Sequence, residues 1–159
     1  PDAVRGVPLG AAAGPADARA PAAGVAARDV PDPSPAPAAE AEAVKNNWSV
    51  AIAVIDSGGH LVMLQKLDNT QLVSIRVSET KAKTALGFRL PTKMLEDAVA
   101  AGGSGTRLLA LQDIAPFEGG FPIIVDGKII GAIGVAGVFS PQDAQVARAG
   151  LAAIGNPSR

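Results

Sequence analysis

The stretch FPIIVDGKIIGAIGVAGVFS, residues 121–140, contains two apolar segments joined by Asp126 and Gly127. An Asp-Gly pair between apolar segments predicts a β-hairpin, because the tight turn requires positive φ angles at both central residues. Glycine weakens a strand, so glycines within one need a reason, such as close approach of another backbone or of a ligand. The second segment has three of them, at every third position: Gly131, Gly134 and Gly137.

The composition predicts one globular domain with an aliphatic core. The chain has 159 residues, of which 48% are hydrophobic and 3% aromatic, with one histidine and no cysteine. The absence of cysteine excludes disulfides, zinc–thiolate sites and thiol catalysis. A net charge of −1 argues against nucleic-acid binding, which needs a basic patch. No apolar stretch is long enough to predict a membrane span. Both the cytoplasm and export with removal of a signal peptide stay open as locations.

Residues 1–37 differ from the rest of the chain and hold eight of its thirteen prolines. They are predicted to form a Pro/Ala-rich tail, or an extended arm that orders on a neighbouring subunit. A segment that is not the natural N-terminus is a third possibility. The run PDPSPAP at 31–37 is predicted to be neither helix nor central strand, because proline lacks the N–H and fixes φ. The folded domain is predicted over residues 38–159.

The other elements are predicted from apolar periodicity and from turn and capping residues. In chain order they are a helix (38–47), a hairpin (50–55 and 60–67), helices at 70–89 and 92–101, a short strand (107–111), the hairpin quoted above, and a helix that starts with Ser140 as N-cap. Thr70 is predicted to cap the first of the paired helices, with Leu72 facing inward, and Met94 is predicted to face inward from the second. The order predicts an α+β fold with a mainly antiparallel sheet covered by helices.

Two isolated side chains are candidates for function. His60 is the only imidazole and follows two glycines, so it is either an exposed turn residue or a ligand for a metal or a haem iron. Glu118 lies in a glycine-flanked loop and is a weak candidate for a catalytic general base or a ligand, because no second carboxylate is placed to pair with it.

A group of cations on one predicted helix allows two interpretations: a solvated face, or a clamp for a carboxylate or propionate. These residues are Arg76, Lys81, Lys83 and Arg89. The Gly-Gly-Ser-Gly segment at 102–105 is either a mobile loop or a backbone nest for an anion. The glycine patterns match neither a dinucleotide fingerprint nor a P-loop, and no Ser-His-Asp set is present.

Four segments carry a family resemblance: NNWSVAIAVIDSGGHLVMLQKLD, SETKAKTALGFRLPTK, PFEGGFPIIVDGKIIGAIGVAG and QDAQVARAGLAAI. In this order and spacing they resemble the GlcG/HbpS-type haem-binding family, which includes the C-terminal domain of PduO-type proteins. The resemblance implies a profilin-like or PAS-like sandwich, in which helices flank a central, mainly antiparallel sheet. It also implies assembly into homo-oligomers, octamers among them, and haem as a possible cofactor.

The resemblance also carries over individual residues and implies a ligand pocket near them. His60 falls on the family's D-x-x-G-H-L turn, and Lys81 and Thr84 match its K-A-x-T-A helix. The E-G-G-x-P loop is matched by Glu118, Gly119, Gly120 and Pro122. The prolines before residue 38 depart from the family, whose members open with a regular amphipathic helix.

Three hypotheses follow for the function. The first is a non-enzymatic binding module for haem or a related tetrapyrrole, with His60 as iron ligand and Lys81 or Arg107 near the propionates. The second is an enzyme or accessory protein for a small organic acid in a glycolate-type pathway, with Glu118 as acid/base and Lys81 binding a carboxylate. The third is a structural oligomer subunit without a ligand.

Overall fold

A computed structural model describes residues 34–156 of the chain. Its elements in chain order are α1 (Ala36–Lys45), β1 (Ala51–Asp56), β2 (Leu61–Lys66), α2 (Leu72–Phe88), α3 (Thr92–Ala100), a 3₁₀ helix (Gly103–Ala110), β3 (Gly120–Val125), β4 (Lys128–Ala136) and α4 (Ser140–Ala153). No helix within this part of the chain is long and apolar enough to cross a membrane.

The four strands form one antiparallel sheet in the order β2-β1-β4-β3. The predicted α+β fold is therefore confirmed. The hairpin of β3 and β4 turns at Asp126 and Gly127, whose φ angles of 48° and 74° are both positive, as predicted from the Asp-Gly pair. This hairpin supplies β4, which lies at the centre of the sheet beside β1.

Large and small side chains alternate along β4, and the two faces of the sheet pack against different helices. Ile133 and Val135 belong to the larger core, together with buried residues of α1 and α4. Ala132 belongs to a smaller core with Ala82 and Ala85 of α2. Successive strand residues point to opposite faces. The helices therefore cover both faces, and the β4 residues that face α2, Ala132 and Gly134, are small.

Gly134 lies where α2 comes closest to the sheet. A Cβ atom at this position would lie 2.0 Å from the carbonyl oxygen of Ser78 and 2.6 Å from the amide nitrogen of Ala82. Gly137 is similar, since its Cβ would lie 2.3 Å from the carbonyl oxygen of Ser49. The prediction that these glycines permit close approach of another backbone is therefore confirmed at both positions.

The prediction for the proline run was wrong at its C-terminal end. Residues 1–33, which include most of the predicted tail, lie outside the described residues. Ala36 and Pro37 belong to α1, and Pro35 is its N-cap residue. Proline is tolerated in the first turn of a helix because the N–H that it lacks would have no intrahelical partner there.

Two predictions about α2 and α3 were also wrong. The N-cap residue of α2 is Gln71, and the hydroxyl of Thr70 instead donates to the carbonyl oxygen of Leu67 at 2.7 Å. Leu72 and Met94, predicted to face inward, are 82% and 57% exposed. The periodicity of apolar residues did not predict which side of each helix is buried, because that depends on which elements pack against the helix.

The predicted strand at 107–111 is a 3₁₀ helix that packs on α3. The backbone approaches α3 closely at Gly105, where a Cβ would lie 1.9 Å from the carbonyl oxygen of Ala98. The sequence of a short apolar run does not distinguish a strand from a helical turn. The packing on α3 therefore determines that this segment is helical. The N-cap of α4 also differs from the prediction, since it is Phe139 rather than Ser140.

Candidate functional site

A buried ion pair joins α2 to α4 at the C-terminal end of β4. Lys81 is 1% exposed and Asp143 is 2% exposed. The Nζ atom of Lys81 donates hydrogen bonds to Oδ2 of Asp143 at 2.7 Å and to the carbonyl oxygen of Val135 at 2.9 Å. The interpretation of Lys81 as part of a solvated face was therefore wrong.

Burial affects the two charges of this pair in opposite directions. It lowers the pKa of Lys81 and raises the pKa of Asp143, because each charged form loses its hydration, while the attraction between the two charges opposes both shifts. A further hydrogen bond from the backbone N–H of Val138 to Oδ1 of Asp143, at 3.2 Å, favours the ionised carboxylate. Each partner thus makes the charge of the other tolerable in the interior.

The two glycines of the E-G-G segment lie directly against Lys81, where side chains would not fit. Gly119 has a φ of 126°, and a Cβ on it would lie 2.8 Å from Nζ of Lys81. A Cβ on Gly120 would lie 2.4 Å from the carbonyl oxygen of Lys81. The amide of Gly120 donates to the hydroxyl of Thr92 at 2.9 Å, which attaches the segment to α3.

The carboxylate of Glu118 faces α4. Its Oε1 accepts a hydrogen bond from Nη2 of Arg148 at 3.0 Å, and its backbone N–H donates to the carboxylate of Glu96 at 2.5 Å. The guanidinium of Arg148 also lies 5.1 Å from the centroid of the Phe121 ring. Glu118 is thus held by an ion pair on the side of the loop that faces α4.

An open cleft of about 450 Å³ lies beside the ion pair. Lys81 and Asp143 line its inner end, and we call it the Lys81 cleft. Its apolar walls are Val73, Val77, Phe117, Val138 and Phe139. The volume falls within the range of about 300–1,000 Å³ that is typical of small-molecule sites. The cleft therefore combines apolar walls with two charged groups at one end.

His60 lies in the turn between β1 and β2, and its side chain is 81% exposed. Its Nδ1 atom lies 3.3 Å from Oδ1 of Asp56. The pKa of Asp56 is lowered, first by the hydrogen bond from the backbone N–H of His60 and then by that from Gly58. The carboxylate is therefore ionised beside the imidazole.

A second cavity, of about 640 Å³, adjoins this turn. We call it the His60 groove, because a Cβ on its lining residue Gly58 would lie 2.8 Å from Nδ1 of His60. Its apolar lining comes from Leu86 and Ile129, and its cations are Arg89 and Lys128. The groove thus combines two cations with an apolar surface, and an exposed imidazole lies next to it.

The cleft and the groove lie at opposite ends of the sheet. Ala51 pairs with Ala136 next to the Lys81 cleft, and Asp56 pairs with Gly131 next to the His60 turn. Five residues of strand correspond to about 17 Å. The structure thus brings Lys81, Gly119 and Gly120 together, and it separates them from His60.

The other two residues singled out from the sequence lie outside both cavities. Thr84 is buried, and its hydroxyl donates to the carbonyl oxygen of Thr80 at 2.7 Å and accepts from the backbone N–H of Ala115 at 2.9 Å. It therefore fastens the segment before the E-G-G loop to α2. Arg107 is exposed on the 3₁₀ helix and lines neither the cleft nor the groove.

Sequence reasoning missed the partners of the two buried charges. Asp143 lies in the first turn of α4 and pairs with Lys81, which is 62 positions away. Arg148 was not considered, and it pairs with Glu118 over 30 positions. No local pattern reports such distant pairs. A charged residue within an otherwise buried helical stripe was the one available signal.

The side chains in residues 34–156 include no cluster for a free metal ion, but they include a residue type that binds haem iron. This part of the chain contains no group of three or more His, Asp or Glu residues that could hold a metal ion. Haem iron is held in proteins by His, Cys, Met or Tyr. Among the described residues none of these types lines either cavity, but the imidazole of His60 lies next to Gly58, which lines the His60 groove. An iron ligand of these types is therefore available next to the groove.

Comparison with known proteins gives a consistent family. The family model described as "Haem degrading protein HbpS-like" matches residues 36–152. Protein GlcG of Escherichia coli K12 is 45% identical over 94 residues, which are 59% of this chain and 69% of GlcG.

Two solved structures extend the similarity to the fold. The crystal structure of HbpS is 32% identical, with a TM-score of 0.70, over 76% of this chain and 84% of that one. The crystal structure of a PduOC:haem complex is 26% identical, with a TM-score of 0.72, over 79% of this chain and 92% of that one. Because the family model covers most of the chain and the folds agree, this chain belongs to the HbpS-like family.

Proposed function

We propose that this chain is a small-ligand binding protein whose ligand is haem or a related tetrapyrrole, held in the His60 groove. The observation that carries the proposal is the single imidazole of the chain, which stands beside Asp56 and next to a groove with two cations. Membership of the HbpS-like family and the similarity to a PduOC:haem complex support a haem-type ligand.

His60 would supply the protein ligand to the iron. Its Nδ1 lies 3.3 Å from the carboxylate of Asp56, which leaves Nε2 for coordination. A carboxylate on the second ring nitrogen is the usual arrangement for a metal-binding histidine, because it fixes the tautomer and the ring orientation. Haem, when bound, would supply an iron that accepts a nitrogen ligand.

The groove would hold the rest of the macrocycle. Leu86 and Ile129 offer an apolar surface to its face, and Arg89 and Lys128 are cations for its propionates. We prefer these two cations to Lys81, whose ammonium is buried in its pair with Asp143, and to Arg107, which does not line the groove.

Hemin titration tests the iron ligand. We expect the wild-type chain to give a Soret band distinct from that of free hemin. His60→Ala should shift this band and raise the dissociation constant at least about tenfold. Asp56→Asn should raise it about tenfold, because removal of an outer-shell partner typically costs this much. The asparagine retains a side-chain oxygen for the turn. Unchanged spectra and affinity in His60→Ala would contradict the proposal.

A pair of arginine variants tests the propionate contacts. Arg89→Gln should weaken hemin binding about two- to fivefold at low salt, as expected for an exposed charge contact. Arg107→Gln removes the same charge outside the groove and should leave the affinity unchanged. Equal effects of the two variants would mean that hemin responds only to the net charge of the protein.

The small-organic-acid alternative would need Lys81 and Glu118 at the same cavity. Lys81 lines its cleft, but the carboxylate of Glu118 is bound to Arg148 and does not line that cleft. We therefore do not put this alternative forward.

We also propose that the chain forms a homo-oligomer, with an octamer as the form that the family resemblance implies. The edge strand β2 exposes two adjacent aliphatic side chains, Leu61 and Val62. Sedimentation velocity should show a species larger than a monomer, and Val62→Lys should shift it towards smaller species. A wild-type chain that sediments as a monomer at tens of micromolar (~10⁻⁵ M) would exclude the oligomer.

A further inference from the structure

The Lys81 cleft has no part in the haem proposal, because it lies at the opposite end of the sheet from His60. At its inner end are Lys81 and Asp143, both almost fully buried. A buried ion pair carries a desolvation cost, and well-packed apolar residues of similar volume often give equal or greater stability. Stability alone therefore does not account for an ion pair at the end of an open cavity.

The ion pair has hydrogen-bonding capacity to spare. A lysine ammonium has three N–H donors, and among the described residues Nζ of Lys81 uses two, on Val135 and on Asp143. A carboxylate offers about four lone-pair sites, and within residues 34–156 Asp143 accepts only from Lys81 and from the backbone N–H of Val138. One donor and two acceptor sites are thus left close to each other.

The charges around the cleft disfavour an ionic ligand. Among the residues that line it, only Lys81 and Asp143 carry charge, and they neutralise each other. The carboxylate of Glu118 lies near Lys81 as well, but it is paired with Arg148. An anion would meet the carboxylate of Asp143, and a cation would meet the ammonium of Lys81. A charged ligand would therefore give up its hydration without a free counterion.

The walls suit an apolar body. Val73, Val77 and Val138 are aliphatic, and the ring centroid of Phe117 lies 5.5 Å from Nζ of Lys81. An aromatic or aliphatic group in the cleft would therefore contact apolar surface while its polar end reached the ion pair. The volume of about 450 Å³ accommodates a molecule of this kind.

We propose that the Lys81 cleft is a second binding site, which takes an uncharged small molecule with an apolar body and one hydroxyl or amide group. Such a group accepts a hydrogen bond from Nζ of Lys81 and donates one to the carboxylate of Asp143. The apolar body packs between the valine walls and Phe117. The site goes beyond haem binding and does not depend on it.

Four molecules of nearly equal size test this selectivity: benzyl alcohol, toluene, benzoate and benzylammonium. Each is titrated into the full chain while the backbone amide signals of Val138 and Phe139 are followed by NMR. Benzyl alcohol should shift them saturably, with a dissociation constant on the order of 1 mM. Toluene should bind about two- to tenfold more weakly, because it lacks the hydrogen bonds. The two ions should bind at least about tenfold more weakly.

Each contrary outcome overturns the proposal. No saturable shift with benzyl alcohol would exclude the site. Equal affinity for toluene would exclude the role of the ion pair. An equal or higher affinity for either ion would exclude the preference for uncharged ligands.

Two matched tryptophan variants locate the binding. Val73 lines the cleft and Val44 lies on α1, and their exposed fractions are nearly the same, at 59% and 60%. Val73→Trp should fill the cleft and abolish the shifts, whereas Val44→Trp should retain them. His60→Ala should leave the binding of benzyl alcohol unchanged while it weakens hemin binding, so the two proposals fail separately. If Val73→Trp binds benzyl alcohol like wild type, the site is not this cleft.

Discussion

Replacing Gly134 with alanine is expected to lower the free energy of unfolding by about 3 kcal/mol, at the upper end of what overpacking a core usually costs. The added Cβ would lie 2.0 Å from the carbonyl oxygen of Ser78, well inside van der Waals contact. The obstructing atom belongs to the backbone of α2, so no change of rotamer can relieve the contact. The helix as a whole must move away from the sheet.

That movement would affect the whole layer of α2. The helix packs on β1, β3 and β4, and the small core between them consists of Ala82 and Ala85 of α2, Ala132 of β4 and Ile55 of β1. A displacement of a few tenths of an ångström at Gly134 would open gaps along this face, and gaps forfeit dispersion contacts. Gly134→Val should therefore be more harmful than Gly134→Ala and should impair assembly before it changes ligand binding.

Equilibrium urea denaturation at fixed protein concentration measures the effect. Gly87→Ala is the matched control, because Gly87 lies within α2 and a Cβ there meets nothing within 4 Å. This control should raise the stability by about 0.5–1 kcal/mol, since alanine loses less backbone entropy in a helix. The packing argument is wrong if Gly134→Ala unfolds at the same urea concentration as wild type.

Lys81→Met is the second change with a large expected effect, a loss of about 3–5 kcal/mol of stability at neutral pH. The substitution removes the counterion of Asp143 and leaves a carboxylate 2% exposed in the interior. The hydrogen bond to the carbonyl oxygen of Val135 is lost as well. The methionine fills most of the space that the lysine side chain occupied, so the loss reports mainly on charge.

The same variant should show a defined pH dependence. Burial already raises the pKa of Asp143, and the interaction with Lys81 is the largest opposing effect. Without Lys81 the folded-state pKa of Asp143 rises further above its unfolded value. Between those two pKa values the folded state binds more protons, so stability falls as pH rises through this range. The deficit of Lys81→Met should therefore be largest at neutral pH and should shrink in mild acid.

A double variant separates the charge from the packing. Lys81→Met combined with Asp143→Leu removes both charges, and it should recover most of the lost stability and show no such pH dependence. Urea denaturation at neutral and mildly acidic pH measures both properties. A double variant that is as unstable as the sum of the two single changes would contradict the ion-pair explanation.

The sequence alone determined the order and type of the main elements. The Asp126–Gly127 turn, the apolar runs of the strands and the periodic helices are local signals, because turn dihedrals and side-chain periodicity depend on neighbouring residues. The glycines of β4 also indicated a close backbone approach, which α2 provides at Gly134. The family resemblance rests on the same local segments.

Only the tertiary structure decided how the candidate residues combine. The register of β1 with β4 places His60 and the E-G-G loop at opposite ends of the sheet, although both belong to the resemblance. Lys81 of α2 gains a buried partner, Asp143 of α4, only because the fold brings the two side chains together at the C-terminal end of β4. Burial and charge pairing between distant positions depend on the packing of the whole domain, and a local pattern does not specify which distant residues will pair. The family resemblance implied one ligand pocket near His60, Lys81 and the E-G-G loop. The structure instead has two cavities with different chemistry, one next to His60 and one lined by Lys81.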